Sequence, residues 1–356
     1  YCTLYERIKR IMAYTTADAK SNFKALTYSG NGSTNAVTGV GFQPDLVWMK
    51  RTDGAGSHRL CDSARGATKL LQSSATDAEQ TGADTLTSFD SDGFTLGADA
   101  APYNVNVNSQ TYVSWNWKAG SSASNSSGTI TTETRANTNA GFSIVKFTGN
   151  NTAGATIGHG LGAKPDMVWF KNTSTSSDWR VCFPTLRGNN KAVEFNSTSV
   201  EFNTSAFNTT DPTSTLITLG NDATVNGNGN TMLAYCFVNK PGFSTCGLYT
   251  GNSNTDGTFV YTGFKPRMVV IKREDSADGW FVYDDQRSPS NVVNDYLTFN
   301  GTTGNTISSA VNLDMYSHGF KLKNTDGGHN NSSGEYLYFA FGTSLSGTND
   351  IPATAR

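Results

Sequence analysis

Charge is scarce in this chain of 356 residues: Asp, Glu, Lys and Arg together make up 16%, and the formal net charge is -2. No stretch gathers Lys and Arg as a nucleic-acid groove requires, so DNA and RNA are not expected partners. Long apolar runs are missing as well. None approaches the roughly 18 residues that cross a bilayer as a helix, and membrane insertion is not expected. The N-terminal YCTLYERIKRI lacks the apolar centre of a secretory signal. Met12 stands as a natural start, and residues 1–22 are expected to form an arm. Histidine occurs four times and cysteine five. An odd cysteine count without a CxxC pair indicates neither a zinc knob nor a redox motif. GxSxG, HExxH and a phosphate-cradling glycine loop are also absent. No catalytic residue, cofactor or metal is therefore assigned.

What the chain has in abundance is Gly, Asn, Ser and Thr, together with 20 Phe, 14 Tyr and 6 Trp. Asn and Gly tolerate the positive φ of tight turns, and the aromatics supply ample surface to bury, so the composition fits short strands joined by polar turns. The phrase GFQPDLVWMK (41–50) returns as GLGAKPDMVWFK (160–171) and GFKPRMVVIK (263–272), spaced by 121 residues from Val47 to Val168 and by 101 from Val168 to Val269. Other landmarks recur in the same order. LTYSGNG, VKFTGNN and GLYTGNS precede the phrase; SHRLCDSARG, DWRVCFPTLRG and GWFVYDDQR follow it; TYVSWNWKAG, MLAYCFVNKPG and YLYFAFGTS close each repeat. Ahead of the closing segment, TSFDSDGFTL (87–96) matches DMYSHGFKL (314–322), while the middle repeat is reduced to STLITLG (214–220). One unit of about 100 residues is thus written three times.

Segments rich in Val, Phe, Tyr and Thr, bounded by Gly, Asn or Pro, are strands. The expected fold is all-β: three tandem β-sandwich repeats of jelly-roll or lectin-like type, at 23–120, 140–240 and 241–356. Residues 121–139, low in apolar side chains, are expected as a linker, looser than the joint at 239–242. Pro44, Pro165 and Pro266 are structural repeat positions, because Pro fixes φ and holds its predecessor extended, so each repeat bends before entering a strand. In the first such strand, alternation puts Val47 and Met49 on one face and Leu46 and Trp48 on the other. In TYVSWNW, Val113, Trp115 and Trp117 are expected to face the core and Ser114 and Asn116 the solvent. In YLYFAFG both faces are apolar, which places that strand between layers. Cys61 and Cys182 fill matching places as small core residues, and helical spacing is confined to a turn around 63–72.

The run of GFQPDLVWMK, SHRLCDSARGATK, LTSFDSDGFTLG and TYVSWNWKAG resembles a domain of unknown function that recurs in virion proteins of tailed bacteriophages, especially marine ones. The resemblance is strongest over residues 25–120; the middle repeat departs by losing the DGF turn and the third by writing VVIK for VWMK. It implies a non-enzymatic virion structural protein, a tail fibre or surface adhesion module contributing to host attachment. A capsid or tail decoration protein without a receptor role is the alternative within that class. The implied partners are other virion proteins, a host-surface glycan or protein, and further copies of the chain, with a trimer the expected homo-oligomer. A tail-associated glycan depolymerase is the enzymatic alternative; it needs paired carboxylates in a groove, and no Asp/Glu pair recurs across the repeats. A free lectin is disfavoured by the missing signal.

Individual residues sharpen these expectations. Arg65, Arg187 and Arg287 recur, with carboxylates nearby in the first and third repeats (Asp62; Asp284 and Asp285), the pattern of ion pairs that tie down a loop. Trp179 and Trp280 stand where the first repeat has His58, a packing position; they are also the aromatic candidates for stacking on a pyranose ring. Asp90 and Asp92 follow a calcium-loop order without the Glu that an EF-hand requires, and YSHGF at the matching place favours a turn. Residues 324–335 gather Asp326, His329 and Glu335, a hairpin tip or a metal site. His159, in GHGLG, is a turn residue.

Overall fold

Strands joined by turns and loops make up residues 21–99 and 103–343, which the computed structural model describes. Cys2, Met12 and all but the last two residues of the expected arm lie outside them. The first repeat forms β1 (Phe23–Ser29), β2 (Asn35–Thr38), β3 (Leu46–Arg51), β4 (Arg59–Asp62), β5 (Lys69–Leu70), β6 (Gln80–Thr81), β7 (Leu86–Asp90), β8 (Gly93–Leu96) and β9 (Thr111–Trp117). The middle part forms β10 (Ser122–Asn125), β11 (Thr132–Asn137), β12 (Phe142–Thr148), β13 (Ala155–Gly158), β14 (Met167–Asn172), β15 (Arg180–Cys182), β16 (Lys191–Glu194), β17 (Phe202–Asn203), β18 (Leu216–Leu219) and β19 (Thr231–Phe237). The last part forms β20 (Ser244–Thr250), β21 (Phe259–Tyr261), β22 (Lys265–Arg273), β23 (Trp280–Asp284), β24 (Asp295–Thr298), β25 (Thr306–Ile307), β26 (Leu313–Tyr316), β27 (Gly319–Leu322) and β28 (Glu335–Thr343). α-Helix among the described residues is limited to two single turns, α1 (Ala223–Asn226) and α2 (Gly327–Asn330). The turn around 63–72 leads into the short β5 instead of a helix.

The protein is nearly all-β, with several antiparallel sheets. Each repeat places the same four strands side by side: β1-β9-β3-β4, β12-β19-β14-β15 and β20-β28-β22-β23. The strand of the repeated phrase pairs with the closing aromatic strand each time. Smaller sheets, β2-β8-β7 and β21-β27-β26, accompany the first and third; the middle repeat, lacking the DGF turn, has only β13-β18. Pro44 and Pro165 sit just before their strands, while Pro266 lies within β22 beside a register shift. The expected linker 121–139 instead carries β10 and β11, which extend the middle sheet at its edge. Its Ser, Thr and Asn side chains suit an exposed edge pairing as well as a coil.

The glycine and asparagine of the recurring turn have a physical reason. A Cβ on Gly30, Gly149 or Gly251 would lie 2.2, 2.3 or 2.2 Å from the carbonyl oxygen of Val107, Gly227 or Asn331. The following asparagine is held by a buried partner in each repeat: Asn106, Asn226 and Asn330 accept from the backbone N–H of Asn31, Asn150 and Asn252 through Oδ1. Their amide nitrogens donate to Gly97, Gly220 and Asn324 carbonyls, so the loop polar groups are satisfied without water.

The two faces of each large sheet go to different cores. Leu46 and Trp48 enter a central cluster, whereas Val47 and Met49 join Val37, Phe94 and Leu96 of the small sheet. β28 behaves alike, with Leu337, Phe339 and Phe341 central and Tyr336, Tyr338 and Ala340 packed outward. Cys61 and Cys182 lie in the outward clusters of their own repeats. Ser114 and Asn116, expected to face solvent, are fully buried, because the outward face of β9 is covered too; the Asn116 amide donates to Lys24 O and Ser114 Oγ. The central cluster draws on all three repeats: Trp48 stacks on Phe299 with centroids 4.0 Å apart, meets Trp169 edge-on at 5.9 Å, and Phe195 meets Trp280 at 4.9 Å.

Candidate functional site

Most chemistry-bearing side chains bind one repeat to the next. Trp48 Nε1 donates to His58 Nδ1 at 2.9 Å, and an indole nitrogen can only donate, so Nδ1 is unprotonated and Nε2–H is left to donate to Thr298 O at 3.0 Å. Burial pushes this imidazole well below its ordinary pKa, and the nearby Lys50 adds to the shift. Trp179 Nε1 donates to Gln72 O at 2.6 Å and Trp280 Nε1 to Glu194 O at 2.7 Å. The acceptors stand at matching places: Glu194 and Thr298 face Arg180 and Phe281, and Gln72 directly follows Leu71, which bridges Leu60. First bonds to third, third to second, second to first, closing a cycle. Trp179 and Trp280 are fully buried, so the expectation that they stack on a sugar is corrected: their rings pack in the central cluster and offer no face to a ligand.

The lysine ending each repeated phrase closes a second cycle in the same direction. Lys50 Nζ donates to Thr302 O, Lys171 Nζ to Thr76 O and Lys272 Nζ to Thr198 O, across the same three boundaries. Each also donates within its own repeat, to Arg51 O, Ser177 O and Asp278 O. All three are buried, and burial pushes the Lys50 ammonium down to about 7 and those of Lys171 and Lys272 down to about 8. The converging carbonyls favour the charged form and oppose that shift.

The arginines divide. Arg65 and Arg287 pair with Asp62 and Asp284 at 2.5 and 2.7 Å, buried on both sides, and each carboxylate also accepts from a neighbouring repeat: Asp62 from the Tyr235 hydroxyl at 2.6 Å, Asp284 from Trp115 Nε1 at 3.2 Å. At the third boundary the carboxylate is replaced by Phe183 and the donor by Phe339, both in the central cluster. Freed from that role, Arg187 binds Glu201 and reaches Glu274 at 3.5 Å and Glu335 at 3.8 Å. Neither carboxyl oxygen of Glu274 has a hydrogen-bond partner, and it lines a small pocket with Arg187, Lys191 and Glu201. Burial raises its pKa to about 7.

Other expected positions are occupied locally. Asp92 accepts from the N–H groups of Gly39 and Gly41, and Asp90 from Ser88 and Thr95 hydroxyls, which makes FDSDGF a turn. Asp326 accepts from His329 Nδ1 at 2.9 Å and caps α2, while His329 Nε2 lies 2.7 Å from the buried Tyr283 hydroxyl. Glu335 is turned away toward Arg187. Leu161 N donates to His159 Nδ1 within its turn, and Nε2 lies 3.3 Å from Thr213 O.

One surface differs among the repeats. On the outward face of β21-β27-β26, Phe259 and Tyr261 are 41% and 66% exposed. His318, in the β26–β27 turn, lies against both, at 5.3 and 6.0 Å between ring centroids, and Tyr316 meets Phe259 at 6.0 Å. Phe259 crosses over Gly319, where a Cβ would meet the ring tip at 2.9 Å. Asp256 with Lys321, and Asp314 with the Tyr316 hydroxyl, frame the rings. The positions of Phe259 and Tyr261 are Ala36 and Thr38 in the first repeat and Thr156 and Gly158 in the second. The signal was present in the sequence as the alternation in FVY, but only aligning the repeats strand by strand exposes it.

A family model described as Domain of unknown function (DUF7483) matches residues 18–344. No curated protein and no solved structure matches the chain.

Proposed function

The chain belongs to the DUF7483 family, a domain of unknown function, and on that premise we propose that it is a non-enzymatic virion surface module, three tandem β-sandwich units locked into one scaffold, that contributes to host attachment. The observation that carries this reading is the aromatic face of the third repeat, exposed where the other repeats have small side chains. Ionisable groups at equivalent positions are engaged in the joints between repeats, which suits a rigid support for a recognition face. The resemblance to virion proteins of tailed phages supplies the setting. Because one chain already closes a three-membered cycle, the role needs no trimer of chains; mass measurement separates a monomer from the trimer that fibres favour.

Immunogold labelling of purified particles with antibody to the chain, combined with adsorption assays in the presence of excess purified protein, tests the proposal. Label on tail or head with reduced adsorption supports attachment. Label without an effect on adsorption leaves only the decoration role, and unlabelled particles refute the virion assignment.

A further inference from the structure

We infer that the outward face of β21-β27-β26 is a binding site for a neutral glycan, seated on Tyr261, Phe259, Tyr316 and His318. The inference rests on reading this face as a recognition surface and adds the chemistry of what it recognises. Sugar rings present an apolar C–H face and an equatorial rim of hydroxyls; an aromatic ring covers the first, and carboxylates, ammonium and hydroxyl groups bond the second. Both parts are here. Phe259 and Tyr261 alternate along β21 and so project from one face, and His318 fills the gap between them.

The charge at the rim selects among ligands. Asp256 pairs with Lys321 and is also attracted to Lys323, while Asp314 accepts from Tyr316. Two carboxylates and two ammonium groups balance, so the face has no excess charge for a sulfated, sialylated or phosphorylated polymer, nor for a basic peptide. It complements a neutral partner that carries many hydroxyls. The occupied ion pairs also keep the polar groups pre-positioned, which lowers the ordering cost of a weak ligand.

The test uses the full chain in affinity electrophoresis through gels containing dextran, mannan, galactan or, as an anionic control, alginate, followed by titration calorimetry with oligosaccharides of any retarding polymer. Tyr261→Ala and Phe259→Ala are exposed-surface changes and should leave the melting temperature nearly unchanged. The expected result is retardation by at least one neutral polymer, weakened roughly tenfold or more in each variant. Retardation by none of the neutral polymers, by alginate alone, or equally in wild type and variants overturns the inference. If cells still bind the protein through Tyr261 while the polymers do not, the face recognises protein and the attachment reading stands; if cell binding ignores Tyr261 as well, both fall. Self-association of the chain that Tyr261→Ala abolishes would instead make the face an interface between chains and overturn the glycan assignment.

Discussion

Glu274 shows how a single residue can make stability depend on pH. Its folded-state pKa of about 7 lies above the 4.5 of an ordinary glutamate, because burial disfavours the ionised form. The folded protein therefore holds a proton that the unfolded chain has already released. Stability from this group is complete below about 4.5 and is lost as pH rises through about 7. Relative to Glu274→Gln, the wild type should lose up to roughly 3 kcal/mol between acid and mildly alkaline conditions, measured as the difference in urea midpoints across pH. Lys272 gives a second prediction. Its ammonium serves the carbonyls of Thr198, Arg273 and Asp278, and Lys272→Met should cost about 1–3 kcal/mol by leaving part of that cluster unserved. The buried lysines were written plainly in the repeated phrase, yet their role was not legible, since one partner carbonyl of each lies in another repeat.

Single elements were legible where a periodicity governs them. The two faces of β3 follow from its alternation, and so do those of β28, because period two leaves no other arrangement for a strand with apolar residues on both sides. The same logic failed for β9: Ser114 and Asn116 are small and polar, but a second layer covers them. It failed again for β10 and β11, whose polar composition resembles a linker. The turn before the repeated phrase is the sharpest element-level prediction. Gly149→Ala places a methyl carbon 2.3 Å from Gly227 O, so backbone must move, and a loss of about 1–3 kcal/mol is expected. Thermal melts of this variant and of Gly162→Ala, where nothing lies within 4 Å of the added carbon but φ is +70°, unlike that of Gly149, separate crowding from backbone strain.

For the whole molecule, the shared central cluster implies cooperativity. Calorimetry should show one transition, with the heat absorbed matching the van't Hoff value; three resolved transitions would mean that the repeats fold independently. A fragment of residues 23–120 would expose Trp48, Trp115 and Trp117, all buried in the full chain, and is expected to aggregate or bind hydrophobic dyes. Sequence alone suggested three separate units because each repeat looks complete in strands and turns. What it hid is that one face of every large sheet belongs to a core no repeat can fill alone.

The boundary where Phe183 and Phe339 stand in for a carboxylate and its donor also makes a statement about inheritance. Partners here lie far apart in the chain, 169 residues for Trp115 with Asp284 and 173 for Tyr235 with Asp62. A family member that loses the acid at one boundary should lose the matching donor with it, as this chain has done once. Substitutions at 62 and 235, at 284 and 115, and at 183 and 339 should therefore travel in pairs through the lineage.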